Sequence, residues 1–330
     1  MIVRALTPDD AWPQTTVRAV EPIAQKDREV HAPDLHILAI ADNSNLVARC
    51  SCWWNRTPTL PAERVGVIGH FAASEAAAGI ALLGAACDKL RAAGCTVAVG
   101  PMDGNTWRRY RFVIDRGAEP PFFLEPDNPD GWPAEWHAAG FAPLASYTSA
   151  LNTDLTRDDP RIAAARARLA DAGVTMRPLD INNPEPDLRR MFALSLESFS
   201  RNFLYTPLGE AEFLEQNRAL LPLVQPELVL LAEAGGELAG FLFAIPDVLQ
   251  ARPGGKIDTI IIKTVAVGEG RSRAGLGSVL VADAQATAQR LGFRRAIHAL
   301  MHEQNVSQNI SRRYARTIRR YQLFVRRLVP

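Results

Sequence analysis

The feature that most limits what this chain can fold into is an internal echo at an offset of about 200 residues. A helical pattern opening at Gly79 closes at Gly94, and another opening at Gly277 closes at Gly292. Each follows a β-rich run and leads into a short strand. Gly104-Asn105-Thr106 and Gln304-Asn305-Val306 stand at the same offset, and Arg108-Arg109-Tyr110 echoes Arg312-Arg313-Tyr314 more loosely. All α/β chains alternate strand and helix, but an offset held over several elements points to duplication of one plan. The length, 330 residues, agrees with two domains of about 150 residues each.

The first copy reads as a strand over 1–5, a hairpin of 36–41 and 46–54 turning at Asp42-Asn43-Ser44-Asn45, and a strand over 64–71. Ile80, Leu83, Cys87 and Leu90 then recur at helical spacing, and Cys95–Gly100 is the next strand. Residues 117–143 crowd Pro, Gly and aromatic side chains. Phe122, Phe123, Trp132 and Trp136 read there as an ordered loop that either packs the domains together or covers an apolar acceptor. Residues 147–154 close the copy. Asp159–Ala172 is a helix with Pro160 in its first turn, and the boundary falls beside it: domains 1–155 and 156–330. The second copy reads as a strand over 174–179, a helix over 187–200 and a hairpin of 228–234 and 237–245 turning at Gly235-Gly236. A strand over 258–267, a helix over 276–291 and a strand over 294–300 follow. A basic helix over 307–320 and a last strand over 321–325 end the chain.

The sharpest chemical feature is the strong strand ending Thr264-Val265-Ala266-Val267, which runs into Arg271-Ser272-Arg273-Ala274-Gly275-Leu276-Gly277-Ser278 and so into a helix. Glycines permit close backbone approach, and unpaired amides at a helix N-terminus favour anions. Arg271 and Arg273 add charge-assisted donors for phosphate. No Gly-Lys-Ser/Thr follows, and the glycines do not space as a dinucleotide fingerprint. By spacing alone, a solvated helix cap fits equally well.

This segment resembles the pyrophosphate loop of the GCN5-related N-acetyltransferase superfamily, whose consensus is Arg or Gln, two residues, Gly, one residue, then Gly or Ala. Gly275 and Gly277 fit; Ser272 stands where the consensus has Arg or Gln, flanked by Arg271 and Arg273. The resemblance covers about 174–330. It implies an α/β fold of two tandem acetyltransferase-like domains, each a mixed, mostly antiparallel sheet flanked by helices. It further implies acetyl-CoA or another acyl-CoA in a slot splayed between strands 264–267 and 294–300. Thr264, Val265 and Val267 would line the pantetheine arm, residues 271–278 (Ala274, Leu276 and Ser278 included) would hold the phosphates, and Asn305 would help to hold the cofactor. Tyr314, two positions past the usual tyrosine position, is the analogous acid. The equivalent turn in the first copy, residues 74–79, lacks arginine and carries Glu75, so that copy reads as degenerate.

Acyl transfer to an amine needs a polarised thioester carbonyl, a neutral amine and a protonated leaving thiolate. A backbone amide within 264–267 suits the first need. Glu303, Glu197, Glu233 and His302 are the candidate bases, Glu303 standing nearest the slot strand. His298 and His302 fall on a strand and loop, so no metal is expected, and no hydrolase elbow is present. The expected function is acyl-CoA-dependent acetylation of a primary amine, on a small molecule or peptide, by direct attack. A catalytically inactive copy of the fold, serving as a binding or regulatory module, is the rival reading.

Charge is nearly balanced, Lys+Arg 37 against Asp+Glu 36, which argues against bulk nucleic-acid or membrane attraction. Yet Arg312, Arg313, Arg316, Arg319, Arg320, Arg326 and Arg327 crowd the end without an acid among them. They read as a solvated or structural face, as a rim for CoA phosphates, or as a macromolecular contact; acids from 1–155 wrapped around them would select the structural option. Four cysteines are too few for a disulfide framework and read as buried thiols. The opening residues lack an apolar signal core, so a cytoplasmic protein is expected. Internal domain packing is expected, and a homo-oligomer stays open.

Overall fold

The echo of the sequence is an echo of structure. The computed structural model describes residues 1–7, 10, 12–13, 20–156, 159–251, 255–270 and 273–328. The first copy supplies β1 (Ile2–Leu6), α1 (Gln25–His31), β2 (Leu35–Ile40), β3 (Leu46–Trp53), β4 (Val65–Ala73), α2 (Ala76–Ala92), β5 (Val97–Gly100), β6 (Phe112–Asp115), α3 (Trp132–Ala138) and β7 (Ala142–Asn152). The second supplies α4 (Pro160–Asp171), β8 (Val174–Pro178), α5 (Pro184–Phe199), α6 (Glu210–Leu220), β9 (Val229–Ala234), β10 (Glu237–Pro246), β11 (Thr259–Val267), α7 (Leu276–Arg290), β12 (Arg295–His302), α8 (Val306–Ser311) and β13 (Arg316–Arg327).

These strands form one sheet, in the order β1-β2-β3-β4-β5-β13-β7-β12-β11-β10-β9-β8, with β6 beside β13. The sequence led us to expect two sheets; the structure joins them edge to edge. The join is an exchange. β7, from the first copy, pairs with β12 of the second, while the C-terminal β13 pairs with β5 of the first. β7 and β13 pair with each other antiparallel, from Arg316↔Leu151 to Val325↔Ala142. Each copy also holds one parallel pair, β4 with β5 and β11 with β12. Parallel neighbours need a crossover, which α2 and α7 provide.

Three apolar layers clamp the sheet. α2 and α3 bury Leu82, Leu83, Cys87, Leu90, Trp132 and Trp136 over the first copy. α4 and α7 bury Ile162, Leu169, Leu276 and Leu280 on one face of the second; α5 and α6 bury Leu188, Met191, Leu194 and Phe213 on the other. α4 has Pro160 in its first turn as expected, and Asp159, read as part of the helix, instead caps it by accepting the Arg161 N–H (3.1 Å). All four cysteines are free and buried. Among the described residues no helix is long and apolar enough to cross a membrane.

The basic end differs from expectation. The helix expected over 307–320 is only α8; Arg312 and Arg313 lie in the turn after it, Arg313 on Asp159 at 3.3 Å, and the arginines from Arg316 on lie on β13. Acids distant in sequence hold them there: Arg316 meets Glu119 at 2.6 Å, Arg319 meets Glu125 at 2.7 Å, Arg320 meets Asp115 at 3.8 Å and Arg327 meets Glu63 at 3.0 Å. Every one of those acids comes from the first copy, which selects the structural option. The aromatic segment likewise straddles the copies. Phe122 is buried with the second, whereas Trp132 and Trp136, on the unforeseen helix α3, are buried in the first.

Candidate functional site

The parallel ladder between β11 and β12 runs only from Thr259↔Arg295 to Ile262↔His298. Both strands continue, to Val267 and His302, so their edges part and leave a split. β10 registers on β11 with a bulge between Phe243↔Thr264 and Ala244↔Ile262, so Lys263 has no opposite number. Gly268 donates its N–H to Ala239 O, on the β10 side. By alternation Val265 and Val267 turn their N–H groups to the split. Val267 N–H donates to Ser198 Oγ at 3.3 Å, and Glu269 N–H to Glu197 Oε1 at 3.3 Å, so the C-terminal end of α5 lies over the mouth.

The glycine turn faces the same mouth. Gly275 is the residue before α7, at φ +88, and a Cβ there would stand 3.2 Å from Ala165 Cβ on α4. Its need for glycine is therefore conformational and steric within the chain. A Cβ at Gly277 would meet Val265 Cγ1, Val267 Cγ2 and Ile310 Cδ1 only at 3.7 Å, which places the first turn of α7 on the split strand and beside α8. The first intrahelical bond of α7 is Val279 N–H to Gly275 O (3.1 Å), so the amides before it are the ones a helix leaves unpaired. The Arg273 guanidinium folds directly over Gly268, and Arg168 Nη2 lies 3.8 Å from where a Gly275 Cβ would be. Arg168, on α4, was not foreseen, because nothing in its sequence surroundings links it to the turn. Arg271 and Ser272 lie outside the described residues. Ala274 and Gly275 are exposed; Leu276 is buried under the helix; Ser278 is half-buried.

Val265 and Val267 thus lie beside Gly277, and Arg273 beside Gly268, while Thr264 pairs with Phe243 on the β10 side. The other expected residues spread out along the far lip. Glu303 is exposed, and its N–H donates to Ser146 O (3.1 Å) on the β7 side of β12. Asn305 begins the turn into α8, donating its N–H to His302 O (3.0 Å). Tyr314 is buried beyond α8, its N–H on Ser311 O (2.9 Å). Of the alternative bases, Glu233 is held on β9 by Arg190 (2.6 Å) and Arg177 (3.0 Å), away from the split. His302 ends β12 against the Tyr147 ring, 4.9 Å between centroids. Burial lowers its pKa, Arg111 lowers it further, and Glu303 pulls it back up.

The first copy contains the same split, closed by its own chain. β4 and β5 pair only from Val65↔Val97 to Val67↔Val99. Met102 N–H then donates to Ile68 O (2.9 Å), and His70 N–H to Asp103 Oδ1 (2.5 Å). A Cβ at Gly69 would collide with the Met102 carbonyl, and the Glu135 carboxylate presses on Gly79 in the first turn of α2. Phosphate would have to displace that carboxylate.

Residues 188–315 match the acetyltransferase (GNAT) family model. The chain is 30% identical over 188 residues to a bacterial ceramide synthase of Caulobacter vibrioides (strain NA1000 / CB15N), a match covering 56% of this chain and 49% of that protein. The chain thus spans about half the length of that curated relative. In fold it is similar to a GCN5-related N-acetyltransferase from Sphaerobacter thermophilus, with TM-score 0.52, 16% identity and coverage of 100% of this chain and 96% of that one. It is also similar to a tandem GNAT protein from the clavulanic acid biosynthesis pathway, with TM-score 0.50, 14% identity and coverage of 100% and 99%. A split between parallel strands, facing a glycine turn at a helix start, recurs in the very segment that the family model matches. Residues 188–315 thus carry a match to the acetyltransferase (GNAT) family, and the chain as a whole has a fold similar to that of GCN5-related N-acetyltransferases.

Proposed function

We propose that this protein is an acyl-CoA-dependent N-acyltransferase whose acyl-CoA site lies in the second copy, residues 156–330, with 1–155 a copy that holds no acyl-CoA. The observation that carries this is the open split beyond Ile262 and His298, set against the first copy's closed one. Thr264, Val265 and Val267 line the pantetheine arm; Arg271, Ser272, Arg273 and the amides of residues 274–278 take the phosphates; Asn305 borders the slot. Acyl-CoA supplies the thioester. The Val265 N–H, turned to the split, hydrogen-bonds the carbonyl oxygen as charge develops there. A neutral primary amine attacks the carbonyl carbon directly, forming C–N as C–S breaks. In this reading the ammonium proton leaves through His302 or the neighbouring Glu303, and Tyr314 protonates the thiolate.

The similarity to a ceramide synthase and the aromatic rings around His302 at the end of β12, those of Tyr147, its neighbour Tyr110 and Phe203, both favour an amphipathic amine as acceptor and an acyl chain longer than acetyl. Isothermal titration with acetyl-CoA and palmitoyl-CoA tests the site. Gly275→Val should abolish binding of either, because a β-branched residue at φ +88 must rebuild the turn. Unchanged affinity would displace the site, and no binding by the unaltered protein would leave the fold as a binding module.

A further inference from the structure

Where the seam between the copies meets the split, the chain buries a cation without a counter-ion. Arg111, just before β6, is 7% exposed. Its guanidinium carbon lies 3.7 Å from the Tyr110 ring centroid and 4.0 Å from that of Tyr147. Its Nε and Nη1 are buried with no hydrogen-bond partner, and no carboxylate among the described residues pairs with it. The other arginine buried as deeply, Arg319, is fully paired with Glu125 and two carbonyls. Two ring faces attract a cation, but they leave its N–H groups unspent. Buried donors without acceptors are costly enough that proteins rarely keep them without a use. Arg111 also sits at φ +67, a backbone region that residues other than glycine seldom adopt.

Its neighbours place it at the acceptor side of the split. Tyr147 packs against His302 and lies opposite it in the ladder. Burial first, and then the Arg111 charge, hold Lys263, the bulged residue of β11, down to about 8, with Glu125 opposing. Lys263 Nζ donates to Leu124 O at 3.3 Å and has no carboxylate in contact; the nearby Glu125 is already committed to Arg319 and Tyr321. Lys263 thus reaches from β11 of the second copy to Leu124 of the first, a second cation at the seam.

We infer that Arg111 is the core of an anion subsite that takes a carboxylate or phosphate carried by the amine acceptor, with Lys263 adding positive potential. This rests on the acyltransfer reading for the identity of the ligand as acceptor. The subsite would fix the amine's position beside the split and complete the hydrogen bonds that Arg111 lacks.

The test is isothermal titration with three amphiphiles below micellar concentration: dodecylamine, 2-aminododecanoate and 2-aminododecyl phosphate. At least one anion-bearing amine should bind about tenfold or more tightly than dodecylamine, the margin expected of hydrogen bonds to a charged group. Whichever binds tighter identifies the source of the anion. Arg111→Met should erase the margin while leaving palmitoyl-CoA affinity unchanged. Arg111→Lys, which keeps the charge but loses the fork, should retain part of it, and carries the comparison should the methionine variant fail to fold. Equal affinity of all three amines, or a margin that survives in both variants, would overturn the inference. The titrations need no turnover. Anion-dependent binding without palmitoyl-CoA binding would therefore sink the acyltransfer reading and leave the subsite standing.

Discussion

Glu125 and Arg319 give the most direct test of what holds the exchanged strands. Their side chains are 3% and 1% exposed, with Arg319 Nε donating to Glu125 Oε1 at 2.7 Å. Arg319 also donates to Glu119 O and Pro120 O, and Tyr321 donates its hydroxyl to Glu125 Oε1 at 2.5 Å. Replacing Glu125 by Leu strands a buried guanidinium with carbonyl acceptors only, which should cost about 3–5 kcal/mol. Arg319→Met leaves the carboxylate with the Tyr321 hydroxyl and the Phe122 N–H (3.2 Å), and should cost about 3 kcal/mol. The double variant loses both charges together. Its remaining cost is that of the freed carbonyls, about 1–3 kcal/mol, so the coupling should reach about 3 kcal/mol or more. Urea unfolding at pH 7, read by circular dichroism with m-values compared, measures all three. Additive effects, or single losses below about 1 kcal/mol, would refute the claim that this pair is a desolvated clamp and not a surface bridge.

Acid should destabilise the fold through three buried imidazoles. Burial depresses His36 to about 4, His70 to about 3 and His298 to about 4, against about 6.5 in an unfolded chain. The unfolded state therefore binds more protons below pH 6.5, and stability, complete above that value, falls as the pH drops towards 4. Each histidine should contribute about 2 kcal/mol of loss at pH 5, so urea midpoints flat between pH 7 and 5 would contradict the assignment. Gly69→Ala should cost about 3–5 kcal/mol, since its Cβ meets the Met102 backbone; near-neutral unfolding energies would mean that the first split is not plugged. The four cysteines, with Cys87 raised by burial to about 11, should ignore Ellman's reagent in the folded protein and all react in guanidinium; fast native labelling would show that the core opens.

Local signals read well from the chain and tertiary ones did not. The hairpin turning at Gly235-Gly236, the crossover helix α7 and helix α4 with Pro160 in its first turn each follow from patterns within a few residues, and each stands within a residue or two of its expected place. β13 did not, because its arginines look helical and solvated until Glu63, Asp115, Glu119 and Glu125 arrive from elsewhere. Helix α3, opened by Trp132-Pro133, was lost among prolines and aromatics, and α6 was passed over between proline-bearing segments. At the site, the glycine turn and the split strand were legible through the resemblance. Ser198 and Arg168 were not, since they come to the β11 end and to the glycine turn from two different helices. A bulge such as the one at Lys263 exists only in the register of two strands.

The exchange of β7 and β13 sets the last prediction. In the fragment 1–155, β5 lacks the β13 strand that covers Val97–Gly100, and β7 loses both its neighbours, β12 and β13. The fragment 156–330 keeps the split strands β11 and β12 but leaves the outer edge of β12 bare and carries β13 with no partner. Unpaired central strands expose backbone donors and apolar faces together, which drives aggregation more readily than it permits independent folding. Neither fragment should then give a cooperative unfolding transition alone, although both contain a complete crossover unit. Expressed together they should reassemble into a complex that binds palmitoyl-CoA as the whole chain does. The pairing must be rebuilt across the seam of β7 and β13. A cooperatively folded 156–330 fragment that bound palmitoyl-CoA by itself would show instead that the exchange is ornamental to the second copy. Failure of the separate halves, followed by recovery on mixing, ties the duplicated plan to the exchange: each copy supplies the strand that closes the other.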